Sequence, residues 1–416
     1  MVKDLTEVRS SQRKHMPDKA GSDLDVQTCL RGIAKTASLN KQHRFRDLYR
    51  LLNTEMLQLA WQGLKKSAAI ADEDITVKEY GVDLEANLER LVERLRQKRY
   101  RAKLIKRRYI LMENGKKRPL GIPALEDKIV QKAAAMILTA IYEQDFLDCS
   151  YGYRPGKGAK DAVSDLVFQL QYGVFGYIVE ADIKSYFDNI SHNELITMME
   201  KRINDRAFMR LITKWLKAGV LEPEGYVEHP VTGTPQGGIV SPILSIIYLH
   251  FVLDEWFEQM VKPRLKGRAI MCRYADDWIC AFHYRDDARR FYKVLPQRLG
   301  RYELQVEPSK TKIVRFSRFH PSRKRGRTFA FLGFEFYWFK DRKGISRAMR
   351  RTAPTKQRIA IGRIKAWLKA FRHLPKRQFL QSLKRKLIGP IIFMCEATRI
   401  LYGLFTAKLS STRRNG

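Results

Sequence analysis

Two adjacent carboxylates, Asp276 and Asp277, stand inside an otherwise apolar segment that runs from Ala269 to Phe282. The apolar residues on both sides predict two short buried strands, while aspartate favours tight turns over strand interiors. The segment therefore predicts a β-hairpin with the aspartate pair at its tip. Taken alone, such a pair is usually only a solvated turn, so its chemistry depends on what else in the chain reaches it.

A third carboxylate, Asp182, ends a predicted buried strand that starts at Tyr177. Carboxylates from two strands that converge on one point repel each other unless a divalent cation lies between them. Oxygen ligands with no nearby His or Cys favour Mg²⁺, with Mn²⁺ as the other possibility. Two such ions, roughly 3.5–4 Å apart, can activate a 3′-hydroxyl and stabilise a leaving pyrophosphate. The three acids thus predict a site for two-metal-ion phosphoryl transfer.

The charge of the chain predicts a polyanionic partner. Among 416 residues, 79 are Lys or Arg and 44 are Asp or Glu, which gives a net charge of +35. Such an excess repels itself unless a polyanion neutralises it, so nucleic acid is expected ahead of a small substrate. The plainer alternative is a ribosomal-type protein or a basic protein that binds other molecules non-specifically. An apolar content of 44% excludes a disordered chain and allows two or three packed units.

The cysteines and the apolar runs exclude other classes of protein. Five cysteines are scattered without Cys-x-x-Cys or paired Cys/His spacing, which excludes a recognisable zinc module and argues against a disulfide framework. No signal peptide is visible at the polar N-terminus. The longest apolar run, from Ile239 to Leu253, is too short to span a bilayer and predicts a buried helix. We therefore expect an intracellular protein with no membrane partner.

Two further segments predict nucleic-acid contacts. Asn114-Gly115 between two short apolar and basic runs predicts a hairpin, on which Lys116, Lys117 and Arg118 would face a phosphate chain. A merely solvated basic hairpin is an equal alternative. The loop from Ser150 to Gly156 carries two tyrosines and Arg154 and could hold a template by stacking, or could be a packed turn.

Apolar spacing predicts the remaining elements and the division of the chain. Helices are expected over 45–64, 84–98, 126–146, 161–171, 193–202 and 288–299, a strand over 304–306 and an aromatic strand pair over 329–336. Residues 1–25 are expected to be a flexible leader, and residues 348–416 a separate basic helical unit with its boundary near residues 342–352.

Several motifs stand in an order that resembles that of reverse transcriptases. They are Asp182 with Phe187 five residues later, Thr234 to Gly238, Tyr274 to Asp277, and Leu332-Gly333-Phe334. The fuller strings Arg118 to Pro123, Ser150 to Pro155 and Arg273 to Asp277 are similar to those of group II intron reverse transcriptase/maturases. The resemblance covers roughly residues 45 to 400.

The resemblance implies an α+β right-hand polymerase fold, in which fingers and a palm with an antiparallel sheet flanked by helices precede an α-helical thumb. Residues 26–100 would extend the fingers, 101–347 would form fingers and palm, and 348–416 would form a basic thumb or maturase region that is incomplete at Gly416. Two departures from the family stand out. Met112 replaces a common Lys, and Ile70-Ala71-Asp72-Glu73 stands where the family has a Gly-x-Asp-Gly motif.

The resemblance also implies a role for each motif residue. The catalytic residues Asp182, Asp276 and Asp277 would bind two Mg²⁺ or Mn²⁺ ions together with the carbonyl of Ile183. Nucleotide contacts would come from Lys116, Lys117, Arg118, Phe187, Gln236 and Gly237, with Phe187 excluding a 2′-hydroxyl. Primer and template contacts would come from Tyr153, Arg154, Lys310, Leu332, Gly333 and Phe334.

The implied function is an RNA-directed DNA polymerase of a group II intron that also binds the intron RNA and assists its splicing and mobility. Its partners would be an RNA template, a DNA or RNA primer and deoxynucleoside triphosphates, in the bacterial cytoplasm with nucleoid or ribonucleoprotein, or in an organelle. Two alternatives remain open at this point: a splicing-only maturase without polymerase activity, and a reverse transcriptase serving antiviral defence or CRISPR spacer capture. The sequence does not predict an oligomeric state.

Overall fold

The computed structural model describes residues 19–64, 76–111, 115, 117–234, 237–319 and 327–393, with the backbone alone at 19–25 and 387–393. The predictions for Met112, Asn114, Lys116, Gln236 and the segment Ile70 to Glu73 therefore fall outside the described residues, as do those for residues 1–18 and 394–416. The chain divides into two compact units, one from Met1–Phe146 with Ile190–Ile247 and one from Leu147–Asn189 with Tyr248–Gly416. Each unit draws on two stretches of chain.

The helices and strands have the following bounds. The helices are α1 (Lys19–Leu39), α2 (Thr54–Gln62), α3 (Val77–Val82), α4 (Leu84–Arg96), α5 (Leu125–Tyr142), α6 (Ala159–Tyr172), α7 (His192–Glu200), α8 (Arg206–Leu216), α9 (Ser241–Leu249), α10 (Arg285–Gly300), α11 (Pro354–Phe371) and α12 (Lys376–Phe393). The strands are β1 (Ile105–Leu111), β2 (Lys117–Ile122), β3 (Ser150–Tyr151), β4 (Tyr177–Ala181), β5 (Val220–Leu221), β6 (Val227–Glu228), β7 (Ala269–Tyr274), β8 (Asp277–Phe282), β9 (Lys312–Arg315), β10 (Phe329–Phe331), β11 (Phe334–Lys340) and β12 (Ser346–Thr352). No helix in the described ranges is long and apolar enough to cross a membrane.

The first unit is built around α5, which is buried along most of its length and contacts α1 and α2. The predicted buried stripe of α4 is confirmed, since Leu88, Leu91, Val92 and Leu95 are all buried. The helix predicted over 45–64 is interrupted, because the side chain of Asn53 accepts a 2.9 Å hydrogen bond from the Met56 N–H and so starts α2 anew.

The sheet of the first unit has the order β2-β1-β5-β6. The predicted basic hairpin is confirmed as the antiparallel pair β1–β2, which runs from Lys106 opposite Ile122 to Leu111 opposite Lys117. In its loop, Gly115 has a φ of 77°, a left-handed conformation that glycine adopts without steric cost. The other edge of β1 pairs in parallel with β5.

The second unit contains a five-stranded sheet of order β3-β7-β8-β4-β9. The predicted hairpin of Ala269 to Phe282 and the predicted strand from Tyr177 are both confirmed, and β8 is antiparallel to β7 on one side and to β4 on the other. Buried side chains of α6 share one core with this sheet and with the three-stranded sheet β10-β11-β12. Helix α10 contacts β4, β8 and β9. The predicted palm, an antiparallel sheet flanked by helices, therefore agrees with this largely antiparallel sheet and its helices.

Three predicted boundaries move in the structure. Helix α1 begins at Lys19, inside the predicted leader. The boundary of the basic helical end was predicted near residues 342–352; β12 continues to Thr352 and buries Ala348 in the core, and the helical end begins with α11 at Pro354. The strand predicted over 304–306 is reduced to a single bridge between Ile183 and Val306.

A buried arginine fixes the end of α1 in the first unit. Arg202 is 3% exposed, donates hydrogen bonds to the carbonyls of Ala37, Asn40 and His43, and pairs with Asp145 at 2.8 Å. Removing one partner of a buried pair leaves an uncompensated charge. We expect Arg202→Met to lower the free energy of unfolding by about 3–5 kcal/mol in urea titration.

The matched control for this prediction is Lys41→Met. Lys41 also contacts Asp145, but its side chain is 55% exposed, so its loss should cost less than about 1 kcal/mol. Equal effects of the two substitutions would show that Arg202 does not anchor α1.

Candidate active site

Strand pairing brings the three predicted catalytic acids to one end of the five-stranded sheet. Asp276 lies in the two-residue turn between β7 and β8, and Asp277 is the first residue of β8. Asp182 follows Ala181, which is paired with Trp278 across β4 and β8. The same register, extended by one residue, sets Asp182 opposite Asp277. Side chains directly opposite on antiparallel strands share a face, with Cβ atoms roughly 4.5–5.5 Å apart.

The electrostatics of Asp277 show that the three acids interact. Loss of surrounding solvent, together with the charges of Asp276 and Asp182, raises the pKa of Asp277 to about 6. The Asp277 side chain nevertheless remains exposed at the surface, so water screens part of this repulsion. Carboxylates held this close at the cost of their own repulsion are a common feature of functional sites.

Lys310 supplies the opposite charge at this site. Its ammonium group donates to Oδ2 of Asp182, and this hydrogen bond raises the pKa of Lys310. The neighbouring backbone is fixed to the same strand end, because the N–H of Glu307 donates to the Asp182 carbonyl at 2.8 Å and the N–H of Lys184 donates to the Gln305 carbonyl at 2.9 Å. These bonds use the neighbours of Ile183, not the Ile183 carbonyl that was predicted as a metal ligand.

The donor set fits a hard divalent cation in chemistry, although the side chains are not closed around one. Within the described ranges, no group of three or more His, Cys, Asp or Glu side chains forms a ready metal cluster. Lys310 holds the Asp182 carboxylate instead. Three carboxylates that repel one another and offer only oxygen donors still match the ligands that Mg²⁺ and Mn²⁺ prefer.

The turn that carries Asp276 has a strained backbone. Ala275 has a φ of 55°, in the left-handed region, which costs a non-glycine residue about 1–2 kcal/mol. Two hydrogen bonds hold it there: its N–H donates to the Tyr151 carbonyl at 3.0 Å, and its carbonyl accepts from Arg273 at 2.9 Å. The aspartate turn is therefore fixed from both sides of the peptide.

Arg273 is itself held by a buried ion pair. Neither Arg273 nor Asp254 has an exposed side chain, and Nε of Arg273 donates to Oδ1 of Asp254 at 2.7 Å while a second nitrogen donates to Oδ2. The same guanidinium donates to Oγ of Ser150 at 2.6 Å. Burial lowers the pKa of Arg273, but the charge of Asp254 outweighs it and holds the pKa above its ordinary value. The arginine stays charged and rigid.

Asp254 was not among the predicted site residues, although the sequence contained a signal for it. Arg273 lies in a strand predicted to be buried, and a buried arginine requires a carboxylate partner. Asp254 is an acid in the apolar helical run that follows Ile239, where wide π-helical turns at His250–Asp254 and Phe257–Val261 continue α9. Such turns inside helices often accompany functional sites.

The predicted primer-contacting motif meets the site through its backbone. Leu332 and Gly333 form the turn between β10 and β11, with φ values of 49° and 80°, and Phe331 pairs with Phe334. The backbone N–H of Leu332 donates to the carboxyl group of Asp277. This hydrogen bond acts to lower the pKa of Asp277 and offsets part of the rise caused by burial and by the neighbouring acids. This places Leu332 beside a catalytic candidate, while the contact of Leu332, Gly333 and Phe334 with a primer stays a prediction.

Phe187 lies in a short 3₁₀ turn, Tyr186–Asp188, that follows Asp182. Its ring is partly exposed and packs edge-on against the buried Tyr186, with 5.3 Å between ring centroids. A partly exposed ring on a fixed support suits contact with a nucleotide sugar, so the predicted role of Phe187 is retained as a proposal.

The predicted template loop separates into two kinds of residue. Tyr153 is 52% exposed, as a stacking residue must be. Arg154 is 8% exposed, and its guanidinium donates to the carbonyls of Leu147 and Ser150, both at 2.7 Å. These bonds favour a structural role for Arg154 within its own loop. The loop lies against the aspartate turn, since a Cβ on Gly152 would be 3.0 Å from the Ala275 nitrogen.

The described candidates for nucleotide contact in the first unit are Lys117, Arg118 and Gly237. Lys117 and Arg118 are exposed on β2. Gly237 has a φ of 116°, and a Cβ there would lie 2.3 Å from the Gly121 carbonyl oxygen. Glycine is thus required at this position by its close approach to β2. The hairpin is braced by Glu222, which accepts from Nε of Arg107 at 2.8 Å and from the Tyr109 hydroxyl at 3.0 Å.

Comparison with known proteins identifies the family. Residues 95–336, more than half of the chain, match the family model described as reverse transcriptase (RNA-dependent DNA polymerase). The chain belongs to the reverse transcriptase family. The match covers the three acids, the basic hairpin and the turn at Leu332, so the resemblance to reverse transcriptases is confirmed, while the roles of the individual residues stay predictions.

Named relatives confirm the resemblance to the group II intron branch of reverse transcriptases. The chain is 37% identical over 233 residues to "Group II intron-encoded protein LtrA" of Lactococcus lactis subsp. cremoris, which is 56% of this chain and 38% of that protein. It is also 37% identical over 202 residues to "Protein YkfC" of Escherichia coli K12, covering 42% of this chain and 53% of the relative. The match thus spans about two fifths of the length of the first relative and half of the second.

Among solved structures, a telomerase from Candida albicans in complex with a fragment of telomeric RNA is similar with a TM-score of 0.45 and 14% identity. The similarity covers 61% of this chain and 46% of that one.

The raised pKa of Asp277 predicts a pH-dependent stability. A carboxyl group whose folded pKa lies above its unfolded value stabilises the fold fully below pH of about 4 and loses that contribution as pH rises through about 6. We therefore expect Asp277→Asn to raise the free energy of unfolding at pH 7.5, by at most about 1 kcal/mol because the side chain is exposed. At pH 4 the substitution should have little effect.

Thermal unfolding at both pH values, without divalent ions, tests this expectation. Asp286→Asn, on an acid at the start of α10, is the control and should not change stability in the same pH-dependent way. A loss of stability in Asp277→Asn at pH 7.5 would contradict the proposed repulsion.

Proposed function

We propose that this chain is an RNA-directed DNA polymerase of a group II intron, which copies RNA into DNA by two-metal-ion nucleotidyl transfer and also binds the intron RNA to assist its splicing and mobility. One observation carries the proposal: strand register sets Asp182 opposite Asp277 and beside Asp276, at one end of a palm-like sheet. The relatives named after introns support the same reading of the partner, an intron RNA.

The three acids share one task in this proposal. Asp182, Asp276 and Asp277 would hold the divalent ions, Mg²⁺ or Mn²⁺. When bound, such ions lower the pKa of an attacking 3′-hydroxyl and neutralise the charge on the phosphates. The strained turn at Ala275 and the Arg273–Asp254 pair keep Asp276 and Asp277 fixed, so little reorganisation is needed when ligand binds.

The basic side chains are proposed to bind the phosphates of the substrates. Lys310 neutralises Asp182, and because its side chain is largely exposed it would be able to bind a phosphate of the primer or template when Asp182 holds a metal ion. On the hairpin, Lys117 and Arg118 are proposed to bind the triphosphate together with Lys116. Phe187, Gln236 and Gly237 are proposed to line the nucleotide, with Phe187 selecting deoxynucleotides. Tyr153 is proposed to stack on template, and Leu332, Gly333 and Phe334 to hold the primer end.

Primer extension tests the proposal directly. The chain is expected to incorporate dTTP on a poly(rA) template with an oligo(dT) primer in the presence of Mg²⁺ or Mn²⁺. Tight binding of RNA with no incorporation of nucleotide under either ion would contradict it and favour a splicing-only maturase. The proposed place of action is the bacterial cytoplasm or an organelle, where such introns are transcribed.

A further inference from the structure

In the part of the chain that the structure describes, the strand pair β11–β12 has one face turned away from the core shared with α6. Side chains alternate along both strands: Phe336, Trp338 and Ala348 are buried in the core shared with α6. The opposite face is formed by Glu335, Tyr337, Phe339, Arg347, Met349 and Arg351. We call these six residues the open face.

The centre of the open face is aromatic and apolar. Phe339 is 53% exposed and Met349 is 40% exposed, and Tyr337 lies directly opposite Met349 in the strand register. Phe339 lies opposite Arg347. Large apolar side chains grouped on a rigid sheet and facing water mark a binding surface more often than chance exposure does.

The charge around this centre suits a polyanion. From Glu335 to Arg351 the sequence contains six basic and two acidic side chains. The Arg351 guanidinium lies 5.1 Å from the centroid of the Tyr337 ring and is held there by Glu335 at 2.6 Å. Asp341 orients Arg347 in the same way, at 3.2 Å. The acids thus fix the arginines beside the rings and leave the hairpin with a net positive charge.

We propose that the open face binds an unpaired stretch of RNA, with bases stacked on Tyr337 and Phe339 and phosphates bound by Arg347 and Arg351. Exposed rings on a sheet can stack only on bases that are not already stacked inside a duplex, and arginines beside them bind the connecting phosphates. The surface lies outside the catalytic acids and the turn at Leu332. The proposal rests on the proposed function only in taking RNA as the polyanion.

Ultraviolet crosslinking of the full chain to a labelled, unstructured oligo(U) strand tests the proposal. The sample contains saturating poly(rC)/oligo(dG), whose template strand does not base-pair with oligo(U), so that the template–primer site is filled while the probe stays unpaired. Crosslinked peptides containing Tyr337 or Phe339 are expected in mass spectrometry. The double variant Tyr337→Ala, Phe339→Ala should bind the oligo(U) strand roughly 10-fold or more weakly, as loss of base stacking predicts. Phe339→Trp, which keeps a stacking ring, should bind normally.

Phe168→Ala is the matched control, because Phe168 is 61% exposed on α6 but lies outside the open face. It should leave oligo(U) affinity unchanged. Affinity for a double-stranded RNA of equal charge should also stay constant in the double variant. The proposal would be overturned if the double variant bound oligo(U) as tightly as the wild type. It would also be overturned if the variant lost the same affinity for duplex RNA, or if it changed its oligomeric state without losing affinity. Primer extension by the wild-type chain is scored separately, so failure of the polymerase proposal remains distinguishable.

Discussion

Replacing Asp276 and Asp277 with alanine will lower primer extension by at least about 10³-fold, because removal of metal ligands takes several kcal/mol of stabilisation from the transition state. The loss should fall on kcat, since the acids act on the reacting groups. After the double substitution, Asp182 is the only one of the three acids that remains to hold an ion.

The control for this double variant is Asp286→Ala with Asp287→Asn, an adjacent acid pair at the start of α10. Asp287 accepts hydrogen bonds from the N–H groups of Gly267 and Lys266, so its asparagine variant tests general damage near the hairpin. Activity close to wild type in the Asp276, Asp277 variant would refute the assignment of these acids.

The second large effect is expected from the pair that supports the turn. Arg273→Met with Asp254→Leu removes both buried charges together, which often leaves stability almost unchanged, whereas Asp254→Asn alone should cost about 3–5 kcal/mol of folding free energy. The paired variant also loses the hydrogen bond to the Ala275 carbonyl. We expect kcat for primer extension to fall by roughly 10–100-fold, with KM for dTTP nearly unchanged.

Arg298→Met is the matched control for the pair. Arg298 is a partly buried arginine of the same unit that donates to the carbonyls of Val252 and Phe251, next to Asp254, but does not contact the turn. It should keep its kcat. If the Arg273, Asp254 variant keeps its melting temperature and its kcat, the pair does not position the acids.

The elements that the sequence predicted well are those with strong apolar periodicity. The hairpin at Asp276, the strand ending at Asp182 and the stripe of α4 depend on local patterns of burial, and all were found as expected. The helix predicted over 45–64 is divided at Asn53, because the spacing of apolar residues does not reveal where a side chain caps and starts a helix. The boundary predicted near residues 342–352 coincides with strand β12, because Arg347 and Arg351 occupy the outward positions of a strand and not of a helix.

The candidate site was predicted only as far as its residue types. The order of the motifs identified Asp182, Asp276 and Asp277. Their register across β4 and β8 depends on tertiary structure and could not be derived from the sequence. The support by Asp254, the bond from the Leu332 N–H to Asp277 and the internal role of Arg154 arise from contacts between distant segments. No spacing rule connects such segments, so a sequence can name the charged groups without telling which of them bind ligand and which bind each other.

The central claim is that Asp182 and the Asp276–Asp277 turn form one metal site. Iron-mediated hydroxyl-radical cleavage tests it most directly, because Fe²⁺ bound in place of Mg²⁺ cuts the chain near its ligands. The account predicts cuts beside residue 182 and beside residues 276–277, both suppressed by added Mg²⁺ and both absent in the Asp276→Ala, Asp277→Ala variant. Cleavage at only one of the two segments, or cuts that Mg²⁺ does not suppress, would contradict it.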